Sequence, residues 1–245
     1  MLLTLSTWQE IETYLAGCKA VVIPVGSTEQ HGPTGLIGTD SLCTEEIAKA
    51  AGTEAGFLVA PTFNVGVAQH HMHFPGTLTL RPTTMIAALV DWSESLIHHG
   101  FRRLYWLNGH GGNLAAVNAA ITEIYHEKTF AAGRPTVSCM VRNWWDLPGV
   151  SELCRSLFPG IDGNHATPSE ISLTRFLFPD TVKTAALAPP LAPSGPIRDA
   201  EDFKRRFPDG RIGSDPSRAS AEAGAKIFAA AVAGLAAEFK LFAAD

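Results

Sequence analysis

Four short apolar runs, none alternating with polar residues, constrain the fold of this chain more than any other feature. They cover residues 20–25, 57–61, 103–107 and 136–141 and are rich in Val, Ile, Leu and aromatic residues. Strands of this composition are typical of a parallel sheet that helices cover on both faces. The pattern therefore predicts an α/β fold with a mostly parallel central sheet.

The segments between these runs carry apolar residues at helical spacing and are long enough to cross from one parallel strand to the next. We predict crossover helices over residues 41–51, 83–99 and 113–128. A strand, a helix and a parallel strand then follow one another repeatedly. With no internal repeat and no convincing linker, the 245 residues are predicted to form a single domain, residues 1–245.

Helices are also predicted outside the repeating part. An opening helix is expected over residues 7–16, capped by Ser6 or Thr7. Pro168 suits a first helical turn, which predicts a helix over residues 168–178. The Pro-rich residues 184–216 are predicted to be an irregular arm, and the Ala-rich residues 218–242 a last helix.

Charge and composition narrow the classes of partner. Nineteen basic and twenty-four acidic residues give a net charge of -5, so we expect neither a nucleic-acid nor a membrane partner. Residues 1–15 lack the pattern of a signal peptide, and no run reaches the roughly 18 apolar residues of a membrane span. The four cysteines form no C-x-x-C pair and are expected to be reduced thiols, which predicts a cytoplasmic location.

Residues able to bind metals follow the predicted strands. In an open parallel sheet, ligands bind beyond the carboxyl ends of the strands, so the turns after the strands are where function is expected. These turns hold the sequences G-S-T-E-Q-H-G-P (26–33) and G-T-D (38–40), then Q-H-H-M-H-F-P-G (69–76) and N-G-H-G-G-N (108–113). His165 and Glu170 follow on either side of Pro168.

Glu29, His31 and Asp40 are candidate metal ligands after the first strand. Glu29 and His31 are two residues apart, so both side chains share one face of an extended segment and can reach one metal site. Asp40 stands where a loop joins a helix and can place its carboxylate between two cations. The alternative for Asp40 is a helix N-cap, which Asp favours.

His110 and Glu170 are candidate ligands farther along the chain. The glycines around His110 allow close approach of backbone and ligand, although the same turn could bind an anion at a helix N-terminus. Glu170 could instead complement the dipole of its helix. Among His70, His71 and His73, a third metal site competes with a loop that lines the substrate or contacts another subunit.

The charges favour two cations. Two divalent cations carry +4, which Glu29, Asp40, Glu170 and one bridging hydroxide balance while the imidazoles remain neutral. A single zinc bound by His31, His110 and Asp40 is also chemically reasonable, but it leaves the other two carboxylates without a partner.

The ordered set of motifs resembles the creatininase (creatinine amidohydrolase) family. The matching motifs are G-S-T-E-Q-H-G-P, G-T-D, F-P-G-T-L, N-G-H-G-G-N, H-A with a Glu five residues after the His, and G-S-D-P at 213–216, and they span about residues 20–220. The resemblance implies a three-layer α/β/α sandwich and a two-metal site that uses zinc and often manganese or iron. It also implies hydrolysis of C–N amide bonds in small-molecule substrates, and commonly a homohexamer.

The resemblance also assigns roles to particular residues. The metal positions fall on Glu29, His31, Asp40 as the bridge, His110 and Glu170, and the proton-transfer histidine falls on His165. Two positions depart from the creatinine-hydrolysing member. A metal-binding Glu of that member is replaced by Gly112, so the second cation must depend on Glu170, and a Trp near the proton-transfer His is replaced by Ile161.

These observations predict an amide hydrolysis in which an activated water attacks the carbonyl and His165 delivers a proton to the leaving nitrogen. Substrate contacts are expected from the backbone of Gly111 and Gly112 and from Trp144 or Trp145, Asp162 and His71. The absence of G-x-S-x-G argues against a serine hydrolase. Two alternatives remain, a non-catalytic protein that retains the fold and a two-metal hydrolase of another ester or amide class. No Arg or Lys stands beside the ligand motifs to hold a phosphoester, although Arg81 and Arg142 could fold within reach.

Overall fold

A three-stranded parallel sheet forms the centre of the structure, a computed structural model that describes residues 1–244. Its strands, in spatial order, are β1 (Ala20–Val25), β2 (Arg103–Asn108) and β3 (Ser138–Asn143). Trp106 of β2 pairs with Ile23 on one side and with Val141 on the other. The parallel sheet predicted from the apolar runs is confirmed.

The predicted strand over residues 57–61 is the exception. This segment lies parallel to β1 but joins it only through isolated bridges at Val59 and Phe63. Pro61, between the two bridges, has no N–H to donate, so a continuous ladder cannot form there. The segment extends the sheet beyond β1 without being a regular strand.

Helices cover both faces of the sheet. Within residues 1–244 they are α1 (Trp8–Gly17), α2 (Thr39–Ala55), α3 (Pro82–His99), α4 (Leu114–Phe130), α5 (Val150–Leu157), α6 (Pro168–Leu177), α7 (Ala200–Arg206) and α8 (Ala221–Ala244). Six of them match predicted helices, with ends that differ by a few residues. Thr7 caps α1 through a capping box with Glu10, as one of the two expected caps.

Two helices were not predicted. The apolar residues of α5, at positions 150, 153, 154 and 157, have the spacing of one helical face, so the sequence did contain this signal. α7 lies inside the arm that was predicted to be irregular. It has only seven residues, begins after its N-cap Asp199 and is surrounded by prolines, so its helical period is too short to detect.

The alternation of side chains along β1 divides the core into two layers. Val22 and Ala20 face a cluster that includes residues of α2, α5, α6 and α8. Val21 and Ile23 face a second cluster, built with α3 and α4. Each face of the sheet is therefore buried by helices, which explains why the strand sequences show no polar alternation.

α8 is long and apolar enough to cross a membrane by length and composition alone, with a mean hydropathy of 1.7 over its most apolar 18 residues. A core helix passes the same test. Here Ile227, Leu235 and Phe239 are buried in the core, and the helix packs along α6 and α2. A long helix that buries one apolar face in this way contributes to the hydrophobic core.

We predict that Gly224→Ala destabilises the protein although Ala favours helices more than Gly does. A Cβ at Gly224 would lie 2.0 Å from the backbone oxygen of Ser172 in α6, so the two helices would have to separate. Overpacking of this kind lowers the free energy of unfolding by about 1–3 kcal/mol, measurable by urea denaturation. Gly17→Ala is the control, because nothing lies within 4 Å of its added Cβ. Equal stability of the two variants would contradict this account of the α6–α8 contact.

Candidate metal centre

The chain places acidic and imidazole side chains together at the carboxyl ends of β1 and β2. Glu29, His31 and Asp40 follow β1, and Asp40 lies in the first turn of α2. His110 follows β2, and Glu170 lies in the first turn of α6. All five side chains are buried.

Backbone carbonyls orient three of the histidine rings. The ring nitrogen that faces a carbonyl oxygen is Nδ1 in His31 (Glu29 O, 3.1 Å) and Nε2 in both His110 (Val67 O, 3.1 Å) and His165 (Gln30 O, 2.8 Å). A carbonyl only accepts hydrogen bonds, so each of these nitrogens carries the hydrogen. In a neutral ring the opposite nitrogen then presents a lone pair, which is how histidine ligands are usually held.

These opposite nitrogens point at carboxylate oxygens. His31 Nε2 lies 2.9 Å from Asp40 Oδ1, and His110 Nδ1 lies 3.1 Å from Glu29 Oε1 and 3.2 Å from Asp40 Oδ2. Glu29 Oε1 and Asp40 Oδ2 are buried and have no hydrogen-bond partner within residues 1–244. Lone pairs held this close repel unless a proton or a cation lies between them, so the donor set fits a divalent cation.

Two groups of ligand atoms share Asp40. Glu29, Asp40 and His110 form one, and His31, Asp40 and Glu170 form the other; within each, one ligand atom per residue lies within 4.8 Å of the others. The structure therefore brings together all five residues predicted as ligands. It also supplies two groups joined by one carboxylate, which is the arrangement expected for a bridging Asp40. Their binding of metal ions stays a prediction.

Asp40 and Glu170 each lie at the start of a helix, where an acidic side chain can stabilise the helix instead of binding a metal. The N-cap of α2 is Gly38, and Asp40 makes no capping hydrogen bond there, so Asp40 is not an N-cap. Glu170 does take part in a capping box, because its Oε1 accepts the backbone N–H of Thr167 at 2.5 Å. One oxygen of Glu170 thus accepts a hydrogen bond that caps α6. The carboxylate still belongs to the ligand group with His31.

The pKa values of the clustered side chains indicate which of them hold protons in the metal-free protein. Burial opposes the charged form of His31, but Asp40 and the other carboxylates outweigh it and raise its pKa to about 10. Burial opposes ionisation of Glu29, yet His110 and His71 hold its pKa well below the usual value. Burial raises the pKa of Glu170 to about 7. In the metal-free protein, protons on the imidazoles compensate the acids, and a cation at the same place would displace them.

His165 lies against the same cluster. Its Nδ1 is 3.8 Å from Glu29 Oε1, and its ring packs 4.5 Å from His31 and 4.4 Å from His71, between centroids. Burial and the neighbouring imidazoles lower the pKa of His165 well below the usual value, so the ring is neutral in the metal-free protein and its Nδ1 presents a lone pair. His165 also forms a possible ligand group with Glu29 and His31, a role that the sequence did not suggest.

The residues predicted to contact substrate line one cavity above the cluster. The cavity has a volume of about 590 Å³. Its walls include Gly111, Gly112, His71, Trp145 and Asp162. Trp144 lines it as well and meets Trp145 edge to face, so both tryptophans considered from the sequence contribute to the wall.

Asp162 and His71 have structural contacts that the sequence did not indicate. Both Asp162 oxygens accept from Ser169, the backbone N–H at 3.0 Å and the hydroxyl at 3.1 Å, so Asp162 holds the start of α6. His71 Nδ1 lies 2.8 Å from the amide nitrogen of Gln30, which leaves its Nε2–H to face Glu29 Oε1 at 3.2 Å. His71 is therefore packed against Glu29, a predicted ligand, and its ring lines the cavity.

Sequence reasoning missed two buried polar residues. The side-chain amide nitrogen of Gln30 approaches His71 Nδ1 and the carbonyl of Gly210, so it connects the motif after β1 to the proline-rich arm. Arg211 is fully buried and donates to Pro189, Pro190 and Ser214 carbonyls. Gln30 could have been suspected from its place between Glu29 and His31, whereas no local pattern distinguishes Arg211.

Comparison with known proteins agrees with this geometry. The family model Creatininase, described as creatinine amidohydrolase, matches residues 4–239. The chain belongs to the creatininase family. It is 31% identical to the creatinine amidohydrolase of Pseudomonas putida over 186 residues, 72% of this chain and 71% of that protein. It is 29% identical to the mycofactocin precursor peptide peptidase of Mycolicibacterium smegmatis over 231 residues, 92% of this chain and 86% of that protein.

Solved creatininase structures superimpose on nearly the whole chain. A mutant creatininase of the Zn-Zn type has a TM-score of 0.86 at 28% identity and covers 99% of this chain and 98% of its own. A manganese form of creatininase has a TM-score of 0.83 at 29% identity, with the same coverage. The α/β/α sandwich implied by the sequence motifs is confirmed.

The surroundings of Gly112 leave no room for a side chain. A Cβ at Gly112 would lie 2.4 Å from His110 Nε2 and 2.6 Å from the Val67 carbonyl oxygen. These are the two atoms whose contact orients the His110 ring. The space beside Gly112 is therefore filled by the contact between His110 and Val67. The carboxylate grouped with His31 and Asp40 comes from Glu170 in α6.

We predict that Gly112→Ala lowers the metal content of the purified protein, because the added methyl group displaces the His110 ring. Metal analysis after reconstitution measures this. Gly111→Ala is the matched control, since its Cβ meets nothing within 4 Å and metal content should be unchanged. Full metal occupancy in the Gly112 variant would show that His110 is not held in place as described.

Proposed function

We propose that this protein is a metal-dependent amidohydrolase that cleaves a C–N amide bond of a small cyclic amide, a formamide or a peptide-like substrate. The observation that carries the proposal is the pair of buried ligand groups joined by Asp40. The creatininase family supports amide chemistry, and its members include a protein named for creatinine and another named for a peptide.

Two divalent cations, when bound at such a site, supply a hydroxide near neutral pH and polarise the amide carbonyl. Glu29, Asp40 and His110 would hold one cation, and His31, Asp40 and Glu170 the other. Nitrogen and carboxylate ligands suit zinc, manganese and iron, which are the metals that we propose. Zn-Zn and Mn forms of creatininase support this choice.

The chain's own residues account for the remaining requirements of the reaction. The open backbone at Gly111 lets a substrate approach closely, and Trp145 offers a flat apolar wall. The leaving nitrogen needs a proton, because an amine leaves poorly as an anion. His165 can carry that proton on Nδ1, since Nε2 is held by the carbonyl of Gln30.

We also propose a homo-oligomer, a hexamer by family resemblance, located in the cytoplasm. Leu5, Trp8 and Phe130 are each at least 70% exposed, which suits contact with other copies of the chain. The four cysteines are free thiols, which suits a reducing compartment. Light scattering of the purified protein measures the assembly, and a monomeric mass would contradict it.

The activity is tested by removing metals with a chelator, reconstituting with zinc, manganese or iron, and screening cyclic amides, formamides and short peptides for release of amine or formate. We expect hydrolysis only in the reconstituted protein. Metal binding without hydrolysis of any substrate would favour a non-catalytic metal-binding protein. Hydrolysis restricted to esters would favour another class of two-metal hydrolase.

Asp40→Asn is expected to remove metal and activity together, because the neutral side chain cannot compensate two cations. Asp91→Asn is the matched control, since Asp91 is an exposed residue of α3 outside the cluster. Metal content and turnover are measured on the same preparations. A variant at Asp40 that retained both metal ions would contradict the bridging role.

His165→Ala is expected to retain metal while turnover falls by about 10²-fold or more, the usual contribution of a proton-transfer residue. The comparison of metal content with turnover separates the two possible roles of this side chain. Loss of metal in the variant would make His165 a ligand, and undiminished turnover would remove it from the mechanism.

A further inference from the structure

Two arginines line the cavity above the metal cluster, and neither is in a family motif. Arg155 belongs to α5, and Arg198 belongs to the arm that precedes α7. Arg155 already has an acidic partner, because its guanidinium lies 3.2 Å from Glu152 Oε1. Arg198 is exposed and has neither an ion pair nor a side-chain hydrogen bond with the residues described by the structure. Arg81 and Arg142, which the sequence left open as cations within reach of the site, do not line this cavity.

The arm that carries Arg198 is attached to the protein on both sides of that residue. Before it, the buried guanidinium of Arg211 donates to the carbonyls of Pro189 and Pro190, at 2.7 and 2.6 Å. After it, Asp199 accepts the backbone N–H of Asp202 and starts α7. Ile197, next to Arg198, lines the same cavity. The main chain is therefore held at residues 189–190 and again at Asp199, the residue directly after Arg198.

The cavity is electrostatically polarised. The acidic residues that line it, Asp40, Asp162 and Glu170, belong to the metal cluster or to the start of α6 beside it. Because Arg155 faces Glu152, Arg198 supplies the one uncompensated positive charge among the two arginines. A guanidinium binds carboxylates and phosphates through paired hydrogen bonds. One positive charge matches the single negative charge of a carboxylate better than the two of a phosphate.

The size of the cavity agrees with a substrate larger than the amide group alone. A volume of about 590 Å³ lies in the usual range for ligand pockets. An amide bound at the metal cluster leaves Trp144 and Trp145 available to contact an apolar or planar body. A charged end of the same molecule could then meet Arg198.

We propose that the substrate is an amide that also carries a carboxylate, such as an N-acylamino acid or a short peptide with a free C-terminus, and that Arg198 binds this carboxylate. The inference depends on the proposed function, because it places the amide at the metal cluster. It goes further by naming the chemical class of substrate and a residue that selects it.

The test measures binding to the metal-loaded protein by calorimetry, so that it does not depend on turnover. The probes are N-acetylphenylalanine, its carboxamide, and phenyl phosphate. We expect the free acid to bind about 10- to 100-fold more tightly than the carboxamide, the range expected for a hydrogen-bonded charged group. In Arg198→Gln this advantage should disappear while metal content is unchanged.

Two controls separate the arginine from other sources of anion binding. Arg218→Gln removes an exposed arginine outside the cavity and should retain the preference for the free acid. Arg155→Gln should reduce the preference less than Arg198→Gln does, because Arg155 is already paired.

Several results would overturn the inference. A preference for the free acid that persists in Arg198→Gln would show that the carboxylate binds elsewhere, for example at the cations. Equal binding of acid and carboxamide, or binding of neither, would remove the carboxylate from substrate recognition. Tighter Arg198-dependent binding of phenyl phosphate would assign the residue to phosphorylated ligands. Failure of the proposed function is a different result, namely that the metal-loaded protein hydrolyses no amide at all.

Discussion

The rest of the site depends on the burial of two carboxylates, Glu29 and Asp40, each with an oxygen that has no hydrogen-bond partner among the described residues. Removing a carboxylate from water costs several kcal/mol unless positive charge compensates it. The imidazole nitrogens of His31 and His110 lie within about 3 Å of these acids, as protonated rings or as ligands of a cation. The backbone carbonyls hold the outer N–H of each ring in either arrangement, so the inward nitrogen is the one that carries the second proton or binds a cation.

Uncharged side chains hold the loops that carry these groups. Asn113 donates to the carbonyl of Gly26 at 2.9 Å and accepts the backbone N–H of Val67 at 3.0 Å, so it joins the turns that follow β1 and β2 to the segment before α3. Gly66 leaves the space for it, since a Cβ there would lie 2.1 Å from Asn113 Oδ1. The last residue of N-G-H-G-G-N therefore maintains the position of His110 without contacting the acids itself.

One acidic group of the site comes from the start of α6, far along the chain from the other predicted ligands. Position 112 has no room for a side chain, and the carboxylate near His31 belongs to Glu170 at the start of α6. The location of α6 depends in turn on its contact with α8, where Gly224 allows the backbones to approach closely. The site thus depends on helix packing as well as on the loops at the sheet edge.

The sequence alone determined the parallel sheet, most of the helices and the five candidate ligands, because the apolar composition of the strands, helical periodicity and motif spacing act over a few neighbouring positions. Only the tertiary structure decided that Asp40 is not an N-cap, how the tautomers of the histidines are set, and where Arg198 and Arg211 lie. The hydrogen bond from His165 Nε2 to the carbonyl of Gln30 joins residues 135 positions apart. Contacts of this kind depend on how helices and loops pack on the sheet, and no local pattern in the chain records that packing.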